Sequence, residues 1–343
     1  MERRLKNILI PGGAAFAAVL IPVLLIRFPV PVNLFFVRFK LIDAYIAQVL
    51  TLGGINAILA ISVNMITGVT GQLSIGQAGF MAIGAYSCIA FTADLHIPLP
   101  LSMILAGFMA ALFGFLIGFP TLKLTGDYLA IVTLGFGEII RVLLTNLRPL
   151  TGGANGRSFT IVAMLRPELA FATVTLSLII VLILLQNFLR SSYGRAILAV
   201  REDEVAANAN GIGVFRYKMT GFVIASFIAG IGGALYASVI SFVKPDVASF
   251  NKSIDYLIFV VLGGMGSMTG SVLASYVLTY LQEFLRILQD YRLVIYPLIL
   301  IFVMLFRPQG LLGMKELSFV RLAGRFGAFV RRKRAGRGEH GHD

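Results

Sequence analysis

Two glycine-rich stretches carry the polar side chains that could handle a solute. The first, GQLSIGQAGF over residues 71–80, gathers Gly71, Gln72, Ser74, Gly76 and Gln77 inside an apolar window. The second, LGGMGSMTGS over residues 262–271, sets Gly263, Gly264, Gly266 and Gly270 around Ser267. Glycine in a helix costs about 1 kcal/mol relative to alanine, so such clusters predict either a helix break or a close helix contact. A break frees backbone donors and acceptors, and these, with a few amide and hydroxyl groups, suit a zwitterion with an apolar side chain. On that reading Gly71, Gln72, Ser74, Gly76, Gln77, Gly263, Gly264 and Gly266 line the substrate pathway. Tight small-residue packing without a ligand is the other reading of the same residues.

Bond-making chemistry has no comparable support. There is no G-x-x-x-x-G-K-[ST] phosphate loop, and neither Ser74 nor Ser267 sits in G-x-S-x-G. The three histidines are His96, His340 and His342, and no Cys or His cluster has metal-ligand spacing. The lone Cys88 excludes an intrachain disulfide. A chain with no catalytic residue, no metal and no cofactor of its own is expected, and it is not expected to be an enzyme. Glu138 and Arg141 stand three apart within an otherwise apolar window, and Glu283 and Arg286 repeat the spacing near the outer end of a span. Residues at that spacing share a helix face, so structural ion pairs are expected, with a proton relay through Glu138 as the sharper alternative.

A third stretch is polar throughout. REDEVAANANGIGVFRYK, residues 201–218, is densely charged in a chain of which 13% is charged. Acids at 202–204 favour the start of a short helix over residues 203–210, and Gly211 is a natural stop. Val205, Ala209 and Ile212 would share one face, an apolar ridge beside charges that suits docking into a partner's groove. An ordinary solvated loop has the same composition, so spacing leaves both readings open.

The elements that must position these residues are membrane spans. The chain has 343 residues, 58% of them hydrophobic, and residues 44–93, 95–122, 169–189, 219–243 and 256–282 contain no Asp, Glu, Lys or Arg. A bilayer core about 30 Å thick takes about 20 apolar residues as helix, so several windows hold one span and the longest holds two. The windows are apolar all round, which excludes a soluble core. We therefore expect an all-α polytopic integral membrane protein with interrupted or re-entrant segments. About ten spans are expected, over residues 8–26, 41–66, 72–93, 99–122, 127–147, 171–189, 219–243, 254–270, 271–288 and 292–306; eight with two re-entrant segments give the same sidedness. Residues 8–26 follow MERRLK without a cleavage pattern and read as a retained span.

The formal net charge of +13 does not point to nucleic acid, because nine of the 29 Lys and Arg lie in the tail after Phe306. Such a tail belongs beside anionic lipid on the cytoplasmic side. With both termini inside, eighteen Lys and Arg fall on inner segments and nine on outer ones. The expected organisation is a permease domain over residues 1–306, an inner loop over 190–218 and a basic cytoplasmic tail over 307–343.

Four motifs in order resemble one family over nearly the whole chain: GQLSIGQAGFMAIGAY (71–86), GRAILAVREDEVAANANGIGVFRYK (194–218), FVIASFIAGIGGALYA (222–237) and VLGGMGSMTGSVL (261–273). They are similar to the LivM-type permeases of bacterial branched-chain amino acid ABC importers. In that family a His is common where Gln77 stands, and the basic tail is not a defining feature. The resemblance implies a bacterial inner-membrane importer of leucine, isoleucine or valine. It would hold a LivH-like second permease, two cytoplasmic ATPases that bind the ATP, and a periplasmic substrate-binding protein. It also implies that residues 190–218 dock on the ATPase, with Arg201, Glu202, Asp203 and Glu204 setting orientation, Val205 and Ala209 supplying apolar contact, and Gly211 ending the helix. Related permeases for urea, short amides or other amino acids share these motifs, and an ion-coupled carrier working through Glu138 is the rival of a different class.

Overall fold

In the computed structural model, residues 31–34, 37–40, 44–124, 126–307 and 310 are described. The expected first span, 8–26, and almost all of the basic tail lie outside them. The described chain is mostly helical. Helix α1 covers Ala44–Asn64, α2 Gln77–Ile89, α3 Leu99–Thr121, α4 Asp127–Asn146 and α5 Pro167–Arg190. Two short helices follow, α6 over Ser192–Glu202 and α7 over Glu204–Ala209. Then come α8 over Val214–Ile240, α9 over Phe250–Gly263, α10 over Met268–Phe284 and α11 over Arg292–Phe306. Two small antiparallel pairings complete it: β1 (Pro31–Leu34) with β2 (Val37–Lys40), and β3 (Arg157–Ser158) with β4 (Phe242–Val243). Neither pairing was expected from the sequence.

Among the described residues five helices are long and apolar enough to cross a membrane, or six if the bent pair α9 and α10 counts as one span. The expected ten are not reached there. The expected spans 254–270 and 271–288 divide in the wrong place, because the break falls at residues 264–267 and α9 and α10 meet at a bend of 120°. The cause is local: Gly264 and Gly266 take φ of +107° and +90°, backbone that glycine adopts without strain and that no helix continues through. The expected span 72–93 begins late, at Gln77, because residues 70–76 are not helical.

Burial separates the centre of the bundle from its rim. Of the most apolar 18 residues within Tyr45–Val69, 83% are buried inside the protein, whereas 33% are buried in the corresponding part of Asp127–Asn146, which faces outward to a greater extent. Helix α1 is thus a central post surrounded by protein, which frees it to carry Ser62 and Asn64 at full burial. Lipid supplies no hydrophobic drive between helices, so α2, α3 and α8 pack through small residues. An ideal Cβ on Gly84 would lie 2.2 Å from the Gly230 carbonyl oxygen, and one on Gly230 would lie 2.6 Å from the Ala110 Cβ. Phe80 and Phe222 fill the space beside this seam edge to face, with ring centroids 5.6 Å apart.

Candidate functional site

The first interruption grows out of the end of α1. The helix widens into a π turn over Met65–Val69, Thr70 Oγ1 donates to the Ile66 carbonyl at 2.6 Å, and Gly71 turns the chain at φ +70°. Residues 70–76 then run without helical bonding, yet Gln72, Ser74 and Gln77 are all at least 95% buried. The backbone of this stretch finds partners on neighbouring elements. Ile75 N donates to Thr133 Oγ1 of α4 at 3.1 Å, and Ala78 N donates to Ser253 Oγ of α9 at 3.2 Å. Gly76 lies so close to α4 that an ideal Cβ would come 2.5 Å from the Thr133 carbonyl oxygen.

The side chains are less completely satisfied. Gln77 Nε2 donates to Ser62 Oγ, which in turn donates to the Ala225 carbonyl at 2.8 Å. Gln77 Oε1, Ser74 Oγ and Asn64 Nδ2 are buried without a partner. An unpaired buried polar atom costs about 1–3 kcal/mol, so three of them in the region of one break mark it as a place where the protein leaves polar groups without partners of its own.

The second interruption is built from glycine contact. Gly263 and Gly270 bring α9 and α10 together so closely that an ideal Cβ on Gly270 would stand 2.1 Å from the Gly263 carbonyl oxygen. Ser267 caps α10 by accepting from Gly270 N at 3.1 Å. Asn64 ties this break to α1, since its Oδ1 accepts from Gly266 N at 2.8 Å. Gly68 makes room for that bond: an ideal Cβ there would lie 1.9 Å from Asn64 Oδ1.

The residues expected to line one pathway therefore do not all meet. Gly76 stands against α4 and Gln77 bonds to α1, while Gln72 and Ser74 are buried in the non-helical stretch before them. Gly263 serves helix packing, and Gly264 accommodates Gly310, whose ideal Cβ would lie 2.6 Å from Gly264 N. Gly71 and Gly266 meet through a third party, Arg201. The Arg201 Cγ lies 3.0 Å from an ideal Cβ on Gly71, and its Nη1 lies 3.3 Å from one on Gly266. Sequence reading missed Ser62, Asn64, Thr133 and Ser253; an Asn and a Ser two apart in an uncharged window were the available signal.

The charged segment folds as a capped pair of helices. Ser191 caps α6 by accepting from Gly194 N at 3.3 Å, and Asp203 Oδ1 caps α7 by accepting from Val205 N and Ala206 N at 2.9 and 3.0 Å. At the other end Gly211 takes φ +78°, with Ile212 N donating to the Ala207 carbonyl and Gly211 N to that of Asn208. That paired bonding is a Schellman stop. Ala207 faces the protein at 5% exposure while Val205 stands 81% exposed, with Ala209 also exposed and Ile212 half-buried. Asp203 is engaged as a cap and Glu204 pairs with Lys218 at 2.5 Å, so Glu202 is the acid of the trio with neither a capping bond nor an ion pair among the described residues.

Both intramembrane pairs form. Arg141 Nε lies 2.6 Å from Glu138 Oε2, and Arg286 Nη1 lies 2.9 Å from Glu283 Oε1, which also accepts from the Tyr45 hydroxyl.

A family model for the branched-chain amino acid transport system permease component matches residues 45–304, which include both interruptions and the whole charged segment. The chain belongs to this permease family. The permease is 37% identical over 296 residues to the high-affinity branched-chain amino acid transport system permease protein LivM of Escherichia coli K12, covering 78% of this chain and 70% of that one. It is 26% identical to a probable LivM of Methanocaldococcus jannaschii, over 63% of this chain and 69% of that one. The E. coli LivH permease is 25% identical over 79% of this chain and 95% of its own. No solved structure matches the permease.

Proposed function

We propose that this chain is one of two membrane subunits of an ATP-driven importer for leucine, isoleucine or valine in a bacterial inner membrane. Its partner is a LivH-like permease, two cytoplasmic ATPases bind and hydrolyse the ATP, and a periplasmic protein delivers the amino acid. Both termini lie in the cytoplasm. The observation that carries this reading is the meeting of two interrupted apolar segments, at Asn64 and Gly266, beside Arg201 at the end of α6 in the charged segment. Relatives whose names give branched-chain amino acid transport supply the cargo.

Ser74 Oγ, Gln77 Oε1 and Asn64 Nδ2 are the polar anchors of the pathway, and the apolar side chains around them accommodate the aliphatic cargo. The exposed ridge of Val205 and Ala209 enters a groove on the ATPase, with Glu202 orienting it. Closure of the ATPase dimer moves α7, and the attached spans exchange outward-facing for inward-facing packing.

The test is recovery of the chain in mild detergent, identification of the proteins that co-purify, and assay of their ATPase activity with and without loaded binding protein. Recovery of P-loop ATPases and a second permease, with hydrolysis stimulated by leucine, isoleucine or valine, is expected. A chain that purifies alone and still transports after reconstitution overturns the reading. In the complex, Val205→Asp with Ala209→Asp is expected to abolish uptake at normal membrane abundance, and unimpaired uptake removes α7 from the docking surface.

A further inference from the structure

We infer that Arg201 is a positioning residue that holds the two interrupted segments together, and is not part of the surface offered to the ATPase. This rests on the importer reading for its consequences and on packing alone for its geometry. Arg201 stands in the last turn of α6, one residue from that helix's end. Its side chain turns inward. The stem crosses Gly71, with Cγ 3.0 Å from where a Cβ would sit, and the guanidinium reaches Gly266, with Nη1 3.3 Å from its ideal Cβ. Both glycines take positive φ, +70° and +90°, so each sits at the turn of its own break. A single side chain therefore touches both turns.

The charge of Arg201 is not committed elsewhere. It forms no ion pair among the described residues, although three acids follow it in sequence. Asp203 caps α7 and Glu204 pairs with Lys218. The second break is also tied to the end of α1 by the Asn64 bond to Gly266 N, and Gly68 shares that contact. The end of α1 and the Arg201 guanidinium thus meet at the same Gly266 turn, and the stem of that side chain adds the first break. A displacement of α6 of the order of a helix shift, about 1–2 Å, is large against these contact distances and is therefore felt at both turns through the one side chain. This gives the coupling segment a direct mechanical hold on the breaks, where a docking role alone would reach them only through the long spans.

Two measurements separate this from docking and from plain stability. In the first, Ser74→Cys is labelled with a membrane-impermeant maleimide in the chain carrying Arg201, Arg201→Ala, Arg201→Lys or Glu202→Ala. Labelling several-fold faster with Arg201→Ala, but not with Glu202→Ala, is expected, with Arg201→Lys between; equal rates in all four overturn the proposal. In the second, the assembled complex is assayed for uptake and for hydrolysis together. Arg201→Ala is expected to keep its ATPase subunits and to lose uptake per ATP by about tenfold, whereas Val205→Asp sheds the ATPases. Loss of the ATPases from Arg201→Ala overturns the proposal in favour of docking, and unchanged uptake per ATP overturns it outright. Should no ATPase co-purify with the unaltered chain, the importer reading fails and the labelling rates alone decide the role of Arg201.

Discussion

A single ion pair shows how residue chemistry fixes a segment outside the spans. Arg157 at β3 donates to both carboxylate oxygens of Asp94, one contact at 3.0 Å, and to the Leu150 carbonyl at 3.0 Å. The Arg157 guanidinium holds the Asp94 carboxyl below its ordinary range. A carboxyl lowered by folding stabilises the protein above its unfolded pKa, about 3.9, and that contribution is lost as pH falls through the folded value. The melting temperature of the detergent-solubilised chain is therefore expected to drop below about pH 4, with a shallower drop in Asp94→Asn. Half-exposure of Asp94 keeps the effect small and salt-sensitive, so equal slopes at low ionic strength remove the pair from the stability of this loop.

At the scale of elements, small residues and caps do the work that hydrophobic burial does in water. Gly84 has no room for a methyl group against Gly230, so Gly84→Ala must push α2 from α8. A loss of about 1–3 kcal/mol is expected, read as a lower melting temperature and lower membrane abundance. Helix α7 has six residues and cannot persist on propensity. Asp203→Ala removes its cap and is expected to cost about 1 kcal/mol, read as faster proteolysis within residues 203–211. Asp203→Asn keeps the acceptor and is expected to keep the resistance. The sequence showed these caps, because Asp203 and Gly211 act on their immediate neighbours. It showed the 262–271 break less well: the glycine cluster was visible, but the helix boundary lies at Ser267, whose side chain caps α10.

Across the whole molecule, the distribution of Lys and Arg argues for one orientation of the chain. Lys and Arg favour placing α6 and α7 in the cytoplasm and residues 147–166 outside. A cysteine at Val205, 81% exposed, is expected to react with an impermeant reagent in inverted vesicles stripped of the ATPases, and one at Leu165, 62% exposed, in right-side-out cells. The reverse pattern inverts the topology.

The sequence by itself determined the membrane class, the polar segment, the glycine clusters and the family, since each depends on composition or on residues close together in the chain. Only the tertiary structure decided that α1 is the central post, that Gly263 packs on Gly270, and that Asn64 bonds to Gly266. It alone brought the Arg201 side chain beside the glycine turns of both breaks. Apart from the Gly263–Gly270 contact, which the turn between them closes, these join residues far apart in sequence, and in an apolar chain hydropathy is nearly uniform. What selects them is whether two backbones can approach without a Cβ between them, a property of paired positions that no single stretch of sequence carries.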